Sequence, residues 1–298
     1  MQAMTAASGL RGAVLRLLPQ PPVTRFAPSP TGYLHLGHVV NAVFVWGLAR
    51  ATGGRVHLRL EDHDRVRCRA LYEAACLDDL AWLGFVPDTG LHPLDRQSDR
   101  DARYTGALAT LGRQGLVYAC GCSRREIGGA RYDGRCRTRG LEREPGRTLR
   151  VRIDEEPASA VDLRHGLLTQ RPAGQCGDVA VRDRDGHWTY QFAVTVDDLD
   201  QGITLVIRGD DLLDSTGRQV ALARLLGRGA PPLFLHHPLI LAASGEKLSK
   251  SAGGTGVRSL RAAGVPPDEV VGRAASAVGL AEPGTRIRAT EVQSLFGG

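Results

Sequence analysis

Two histidines stand three residues apart where a loop is predicted to run into a helix, at His35 and His38. Imidazole N–H groups at a helix N-terminus favour anions, so the pair could hold the phosphates of a nucleotide. Gly37 between them would let a flat base approach the backbone. Two alternatives are a pair of exposed histidines and a metal-binding pair, although no acidic ligand stands at matching spacing.

The only two lysines of the chain lie in one short segment. Of the 38 basic residues, 36 are arginine, and the exceptions are Lys247 and Lys250, within the run EKLSKS at 246–251. A GC-rich coding preference explains the excess of arginine, and sites that keep lysine are then those that need a compact, rotatable ammonium group. Two such groups on a loop could close over phosphates and offset charge in a transition state. A solvated basic loop is the alternative.

Three of the six cysteines lie close together in the sequence, at Cys120, Cys122 and Cys136. Six cysteines in 298 residues are too few for a disulfide scaffold. Three neighbouring thiolates are typical of a structural zinc site, and reduced free thiols are the alternative.

The elements around these residues predict a doubly wound α/β sheet. Residues 24–27 and 55–60 are predicted strands, with a helix over 37–51 between them. Ligands bind beyond the carboxyl ends of such strands, where the loop 28–38 and Glu61 lie.

Further along the chain, the pattern changes at about residue 118. Helices are predicted over 70–84 and 98–115, but residues 118–177 are rich in arginine, glycine and cysteine with little periodicity, which indicates an inserted small domain. Strands are predicted over 178–183, 188–196 and 203–207, and a helix over 214–226. The predicted division is an N-terminal extension (1–21), the first half of a catalytic domain (22–117), the insert (118–177), the second half (178–252) and a short C-terminal segment (253–298).

The composition is that of an ordinary globular protein, with 42% hydrophobic and 23% charged residues. No run of about 18 apolar residues occurs, and the first twenty residues contain no stretch typical of a secretory signal, so we expect a cytoplasmic protein. The net charge of +6 is compatible with a polyanionic partner without identifying one.

Several strings, in order, resemble the class I aminoacyl-tRNA synthetases. HLGH at 35–38 and KLSKS at 247–251 resemble the two signatures of that class, and RFAPSPTGYLHLGH at 25–38, LRLED at 58–62 and IRGDDLLDST at 207–216 resemble the glutamyl and glutaminyl branch. The resemblance covers about residues 22–252. It implies a Rossmann-type doubly wound parallel sheet with an inserted small zinc-containing, acceptor-type domain.

The resemblance also implies roles for individual residues. Arg25 and Arg208 match the pair that holds the two carboxylates of glutamate, which suits the bidentate guanidinium group, and Glu61 matches the acid that holds the α-ammonium group. Tyr190 matches a phenol that lines the glutamate pocket. Without the resemblance, strand-end ion pairs and a core tyrosine would be the simpler interpretation. The loop residues expected at the substrate are Phe26, Ala27, Pro28 and Ser29.

For ATP, the resemblance implies that His35, Gly37, His38 and Lys250 bind the nucleotide together with Mg²⁺, and that His35, His38, Lys247 and Lys250 act in catalysis. For zinc, it implies a site of Cys120, Cys122, Tyr132 and Cys136. A tyrosine ligand is unusual, and His165 or water remains open as the fourth ligand.

The residues after the lysine segment narrow the resemblance further. Residues 252–298 are fewer than the 100 or so that an anticodon-binding domain needs, so none is expected. The chain therefore resembles the truncated family of glutamyl-queuosine tRNA(Asp) synthetases, which activate L-glutamate with ATP without tRNA and transfer it to the cyclopentenediol of queuosine at the wobble position of tRNA(Asp). The alternatives are a glutamyl-tRNA synthetase core that charges the tRNA 3′ end, and a non-catalytic tRNA-binding relic.

Overall fold

A computed structural model describes residues 2–64, 67–129, 131–240 and 256–297 of the chain. The helices are α1 (Gln2–Leu17), α2 (Leu36–Ala51), α3 (Ala70–Leu83), α4 (Asp101–Arg113), α5 (Arg124–Ile127), α6 (Pro172–Gln175), α7 (Tyr190–Asp200), α8 (Thr216–Leu225), α9 (Val257–Ala262) and α10 (Pro267–Ala277), with 3₁₀ helices at Gln97–Asp99, Asp210–Ser215 and Ala289–Phe296. The strands are β1 (Val23–Phe26), β2 (Arg55–Leu58), β3 (Val117–Cys120), β4 (Thr148–Val151), β5 (Ala158–Asp162), β6 (Gly166–Gln170), β7 (Val179–Arg182), β8 (Leu205–Gly209) and β9 (Leu233–His237).

The parallel strands that frame the site come in two pairs, each joined by a helical crossover. β1 pairs with β2 through α2, and β8 pairs with β9 through α8. The backbone N–H of Thr204 donates to the carbonyl of Val23 at 2.9 Å, which fastens the start of β8 beside β1. The predicted α/β class with a parallel sheet is confirmed, and the contact between β1 and β8 places the carboxyl ends of these two strands side by side.

Helix α2 connects β1 to β2 and packs against both strands and against β8, because almost its whole surface is apolar. Ten of its residues, from Val39 to Ala49, are buried. The N-terminal helix α1 and the C-terminal 3₁₀ helix Ala289–Phe296 both pack on it. Gly47 leaves room for the ring of Phe296, since a Cβ at this position would overlap that ring. The histidine pair therefore stands at the end of a helix that is held on several sides.

Two sheets carry strands from the segment 118–177. β3, β4 and β7 form an antiparallel three-stranded sheet, and the β5–β6 hairpin joins β9 and β8 in a sheet of order β6-β5-β9-β8. The contact between β5 and β9 is a single parallel pair, Asp162 with Phe234. Through this hairpin, Asp162 lies directly against a strand that frames the site.

The strand predicted over 188–196 is wrong, because these residues begin helix α7. Thr189 is extended and precedes the first turn, and the buried residues Phe192, Ala193 and Val196 recur at helical spacing. Asp197 on the same face accepts hydrogen bonds from the side chains of Gln97, Arg100 and Tyr104. These contacts, which are distant in sequence, favour the helix over an alternating strand. Within the described residues, no helix is both long and apolar enough to cross a membrane.

Candidate active site

A cleft of about 330 Å³ opens at the carboxyl ends of β1 and β8, beside the N-terminus of α2. It brings together eight of the residues predicted for the site, several of which lie far apart in sequence. These are Arg25, Ala27, His35, Gly37, His38, Glu61, Tyr190 and Arg208, with Tyr190 in the first turn of α7.

The two histidines close the N-terminus of α2 by a reciprocal cap. The backbone N–H of Gly37 donates to Nδ1 of His35, and the backbone N–H of His35 donates to Nδ1 of His38, both at 3.1 Å. Each neutral imidazole accepts at Nδ1, so its proton is on Nε2. The capping hydrogen bonds thus make Nε2–H the donor group of each ring. The two ring centroids are 4.0 Å apart.

Arg208 at the end of β8 is a buried guanidinium group surrounded by neutral acceptors. Only 4% of its surface is exposed. Nε donates to Nε2 of His236 at 2.9 Å, Nη1 to Oε1 of Gln219 at 2.6 Å, and Nη2 to Oγ1 of Thr216 at 2.8 Å. Burial lowers the pKa of Arg208 from its ordinary value. No carboxylate of the described residues pairs with this cation, so it offers a site for an anion that enters the cleft.

Arg25, in contrast, is already paired within the protein. Its Nε donates to both carboxylate oxygens of Asp198, at 3.1 and 3.3 Å, and its Nη1 donates to the carbonyl of Ile207 at 3.2 Å. Burial would raise the pKa of Asp198, but the guanidinium groups of Arg25 and Arg59 outweigh it and lower that pKa. Arg25 therefore reaches the cleft as one member of a buried ion network.

Glu61 belongs to the same network through Arg59. Nη2 of the fully buried Arg59 donates to Oε1 of Glu61 at 3.0 Å, and its Nη1 donates to Asp198 at 2.9 Å. The backbone N–H of Glu61 donates to the carbonyl of Pro28 at 2.9 Å. One carboxylate oxygen is thus held by Arg59, while Oε2 has no hydrogen-bond partner among the described residues and is positioned for a cationic group in the cleft.

The remaining residues of the predicted substrate loop take different positions. Ala27 lines the cleft, whereas the Phe26 side chain is buried against Trp46, with ring centroids 5.3 Å apart. Pro28 is buried and contributes its carbonyl group. Ser29 lies outside the cleft lining, with its hydroxyl 3.9 Å from the thiol of Cys68. Burial and the nearby Glu61 carboxylate raise the pKa of Tyr190, which therefore remains a neutral phenol at the cleft.

Sequence reasoning missed Asn41, Asp211 and His237, which also line the cleft. Oδ1 of Asn41 lies 3.2 Å from Nε2 of His237. Burial lowers the pKa of His237 to about 4, so its ring is neutral. One signal was available for Asn41: it is a lone polar residue, one turn after His38, in an otherwise apolar stretch of α2.

Lys247 and Lys250 lie outside the described residues, but the ends of their segment can be located. Leu239 and Ile240, just before it, line a small cavity with His35 and Gly37. After it, Gly256 forms a bridge with His35, and the backbone N–H of Val257 donates to the carbonyl of Leu34 at 2.9 Å. The described residues that flank 241–255 on either side therefore lie beside His35.

The three predicted cysteine ligands come together after β3. The thiols of Cys120, Cys122 and Cys136 lie within 4.8 Å of one another, and all three residues are buried. Tyr132 joins them: its hydroxyl is 3.4 Å from Sγ of Cys120 and accepts from the backbone N–H of Cys136 at 2.9 Å. His165, the other candidate for a fourth ligand, is held elsewhere, with Nε2 2.8 Å from Asp210.

The electrostatics of this cluster suit a soft divalent cation. Burial and the Cys136 thiol raise the pKa of Cys122 to about 12. Burial also opposes ionisation of Cys136, but hydrogen bonds involving Tyr132 and the backbone of Gly121 outweigh it and lower the pKa of Cys136 to about 7. Adjacent thiols cannot all ionise without a compensating charge, which a bound metal ion supplies. The donor set of three thiols and a phenol therefore fits zinc.

Comparison with known proteins agrees with this geometry. Residues 22–282 match the family described as tRNA synthetases class I (E and Q), catalytic domain. A glutamyl-Q tRNA(Asp) synthetase of Burkholderia cenocepacia is 43% identical over 276 residues, covering 88% of this chain and 89% of the relative. One of Rhodobacter capsulatus is 40% identical over 275 residues, covering 83% and 98%.

Solved structures show the same fold. A glutamate tRNA ligase of Elizabethkingia meningosepticum, in complex with its amino acid, superposes with a TM-score of 0.77 at 27% identity, and the glutamate-tRNA synthetase of Elizabethkingia anophelis with 0.76 at 26%. The match covers 92% of this chain in both cases, but only 64% and 65% of those longer chains. The chain therefore belongs to the E and Q branch of the class I tRNA synthetases, a family of ligases, and within it to the glutamyl-Q tRNA(Asp) synthetases.

Proposed function

We propose that this enzyme activates L-glutamate with ATP in the absence of tRNA and transfers it to queuosine at the wobble position of tRNA(Asp). In the first step, a glutamate carboxylate attacks the α-phosphate of ATP, forming glutamyl-adenylate and releasing pyrophosphate. In the second step, a hydroxyl group of the queuosine cyclopentenediol attacks the activated carbonyl carbon and AMP leaves. The adenylate is already a good acyl donor, so neither step needs a side-chain nucleophile.

The observation that carries the proposal is the state of Arg208. A buried guanidinium group without a carboxylate partner is costly unless a ligand supplies the anion. It lies in the same cleft as Arg25 and Glu61, so the cleft has cations for two carboxylates and an acid for an ammonium group. That combination matches glutamate in charge and number of groups.

The nucleotide is assigned to the histidine end of the cleft. His35 and His38 present Nε2–H donors, and the N-terminus of α2 adds its own positive field, which together favour the phosphates of ATP. Gly37 leaves the backbone accessible between them. When bound with ATP, Mg²⁺ would neutralise phosphate charge. The amino-acid and phosphate sites then adjoin, which is the arrangement that in-line attack on the α-phosphate requires.

Lys247 and Lys250 are assigned to the phosphates as well. The residues on both sides of 241–255 are anchored at His35 and Leu34, and Lys250 precedes Gly256 by six residues, a span of at most about 20 Å. The phosphates bound at His35 are within that reach. Their ammonium groups would offset the negative charge that builds up as pyrophosphate leaves.

The thiol cluster is assigned a structural role. Zinc held by Cys120, Cys122, Cys136 and Tyr132 would join the end of β3 to the turn that carries Cys136. All four candidate ligands come from the protein, which leaves no open position for substrate and is typical of a structural site.

Two other functions would use the same cleft: charging of a tRNA 3′ end, and tRNA binding without catalysis. The test supplies ATP and labelled glutamate to tRNA(Asp) with and without queuosine and, in a separate reaction, to tRNA(Glu), and then removes the 3′-terminal adenosine. We expect label only on the queuosine-containing tRNA, and we expect it to survive that removal. Label on tRNA(Glu) that is lost with the 3′ adenosine would instead identify a charging enzyme, and no label on any tRNA would favour the binding protein.

A further inference from the structure

Behind Arg208, two buried residues continue its hydrogen-bond chain away from the cleft. Nε2 of His236 accepts from Nε of Arg208 at 2.9 Å, and Nδ1 of His236 donates to Oδ2 of Asp162 at 2.7 Å. His236 is 0% and Asp162 1% exposed. The three residues come from β8, β9 and the end of β5, so the chain depends on the β5–β6 hairpin that packs beside β9.

The partners of Asp162 determine which nitrogen of His236 carries the proton. Oδ1 of Asp162 accepts the backbone N–H groups of Arg164 and His165, at 2.8 and 2.9 Å, and Oδ2 accepts the backbone N–H of His236 at 3.0 Å. The Asp162 carboxylate already accepts three backbone hydrogen bonds, and it is the acceptor in the fourth as well. His236 therefore donates to it and carries its proton on Nδ1. Its Nε2 is then a lone-pair acceptor, which is what Arg208 requires.

This arrangement also determines where negative charge lies relative to Arg208. A carboxylate in direct contact with the guanidinium group would compete with a substrate carboxylate for the same N–H groups. The neutral imidazole ring of His236 lies between Asp162 and Arg208. It accepts from Nε of Arg208 and fixes the plane of the guanidinium group, and it keeps the charge of Asp162 out of contact with that group. Arg208 is thus oriented without being neutralised by contact.

We propose that His236, oriented by Asp162, is a positioning residue that holds the Arg208 guanidinium group in the orientation that binds a carboxylate of the substrate. This inference rests on the proposed glutamate site, and it adds two buried residues, His236 and Asp162, that do not line the cleft. Their effect is therefore on amino-acid recognition rather than on phosphate binding.

The test compares His236→Phe with His236→Gln by glutamate-dependent ATP–pyrophosphate exchange. Phenylalanine keeps a planar ring but cannot accept from Arg208, whereas the glutamine side-chain oxygen can. We expect His236→Phe to raise the KM for glutamate about ten- to a hundredfold, with the KM for ATP within about twofold of wild type. His236→Gln should recover most of that loss. His187→Phe, which alters a histidine paired with Asp183 outside the cleft, is the matched control and should change neither constant.

An unchanged glutamate KM in a folded His236→Phe variant would overturn the proposal, and so would an equal rise in both KM values without recovery by glutamine. A wild-type protein that shows no glutamate-dependent exchange would refute the proposed function instead. ¹⁵N NMR of the wild-type imidazoles tests the protonation of His236 independently of the kinetics. We expect the neutral Nδ1–H form of His236 at pH 7. An Nε2–H form or an imidazolium would contradict the hydrogen-bond chain from Asp162 through His236 to Arg208.

Discussion

The backbone N–H of His35 donates to Nδ1 of His38 at 3.1 Å, so one histidine of the cleft orients the other. Gly37 completes the cap by donating to Nδ1 of His35. The same hydrogen bonds that close the N-terminus of α2 thus leave the proton of each ring on Nε2, and both residues line the cleft. Helix capping and ligand recognition are coupled at this point of the chain.

His38→Asn separates these two roles. The asparagine oxygen can replace Nδ1 as the acceptor for the His35 N–H, but nothing replaces the Nε2–H donor. We expect ATP–pyrophosphate exchange to fall about 10²- to 10³-fold while thermal stability stays near wild type. His38→Ala, which removes both groups, should lose activity similarly and in addition about 1 kcal/mol of stability, measured by denaturant unfolding. Normal exchange in His38→Asn would contradict the assignment.

Gly37→Ala tests the space that the cap leaves. A Cβ at this position would lie 2.9 Å from Cε1 of His35, so the ring must move. We expect the KM for ATP to rise about tenfold or more, since a displaced donor weakens a charge-assisted hydrogen bond. The matched control is Gly106→Ala on α4, where a Cβ meets nothing within 4 Å, and it should leave the kinetics unchanged. Equal kinetics for the two variants would show that the ring position is unimportant.

Zinc content and stability should depend together on the thiol cluster. Purified protein is expected to contain one zinc ion per chain by elemental analysis, and Cys136→Ser should lower that content and the melting temperature. Cys68→Ser, which changes a cysteine outside the cluster, is the control and should retain zinc. A chelator should destabilise wild type but have little further effect on Cys136→Ser. Wild type without stoichiometric zinc would remove this assignment.

Asp79 on α3 should make stability depend on pH. It is 1% exposed, and neither carboxylate oxygen has a hydrogen-bond partner in the part of the chain that the structure describes. Burial, with a smaller contribution from Asp78, raises the pKa of Asp79 to about 6. Because the folded-state pKa lies above the unfolded value, ionisation costs stability at pH 7 and above, and that cost shrinks as pH falls below 6.

Asp79→Asn should therefore stabilise the protein by on the order of 2–3 kcal/mol at pH 7.5, and by less at pH 5. Denaturant unfolding at both pH values measures the difference. Asp99→Asn, which alters an exposed carboxylate outside α3, is the control and should show no such trend. A gain for Asp79→Asn that is equal at both pH values would contradict this origin.

The sequence predicted the parallel α/β class and most of the cleft, because the chemistry-bearing residues lie at or just beyond the carboxyl ends of strands or begin helices. It failed at 188–196, where alternation suggested a strand but distant contacts of Asp197 favour a helix. The roles of His236 and Asp162 could not be predicted, since their partnership depends on how the β5–β6 hairpin docks on β9. The lack of a carboxylate partner for Arg208 among the described residues could not be predicted either, because only the fold shows that its hydrogen-bond partners are neutral.

If this cleft activates glutamate by itself, ATP–pyrophosphate exchange proceeds in the complete absence of tRNA. We expect exchange with L-glutamate and little with L-glutamine, because only glutamate brings a second carboxylate to the cleft, where Arg208 has no carboxylate partner among the described residues. Exchange that requires tRNA, or that proceeds equally with glutamine, would contradict this expectation.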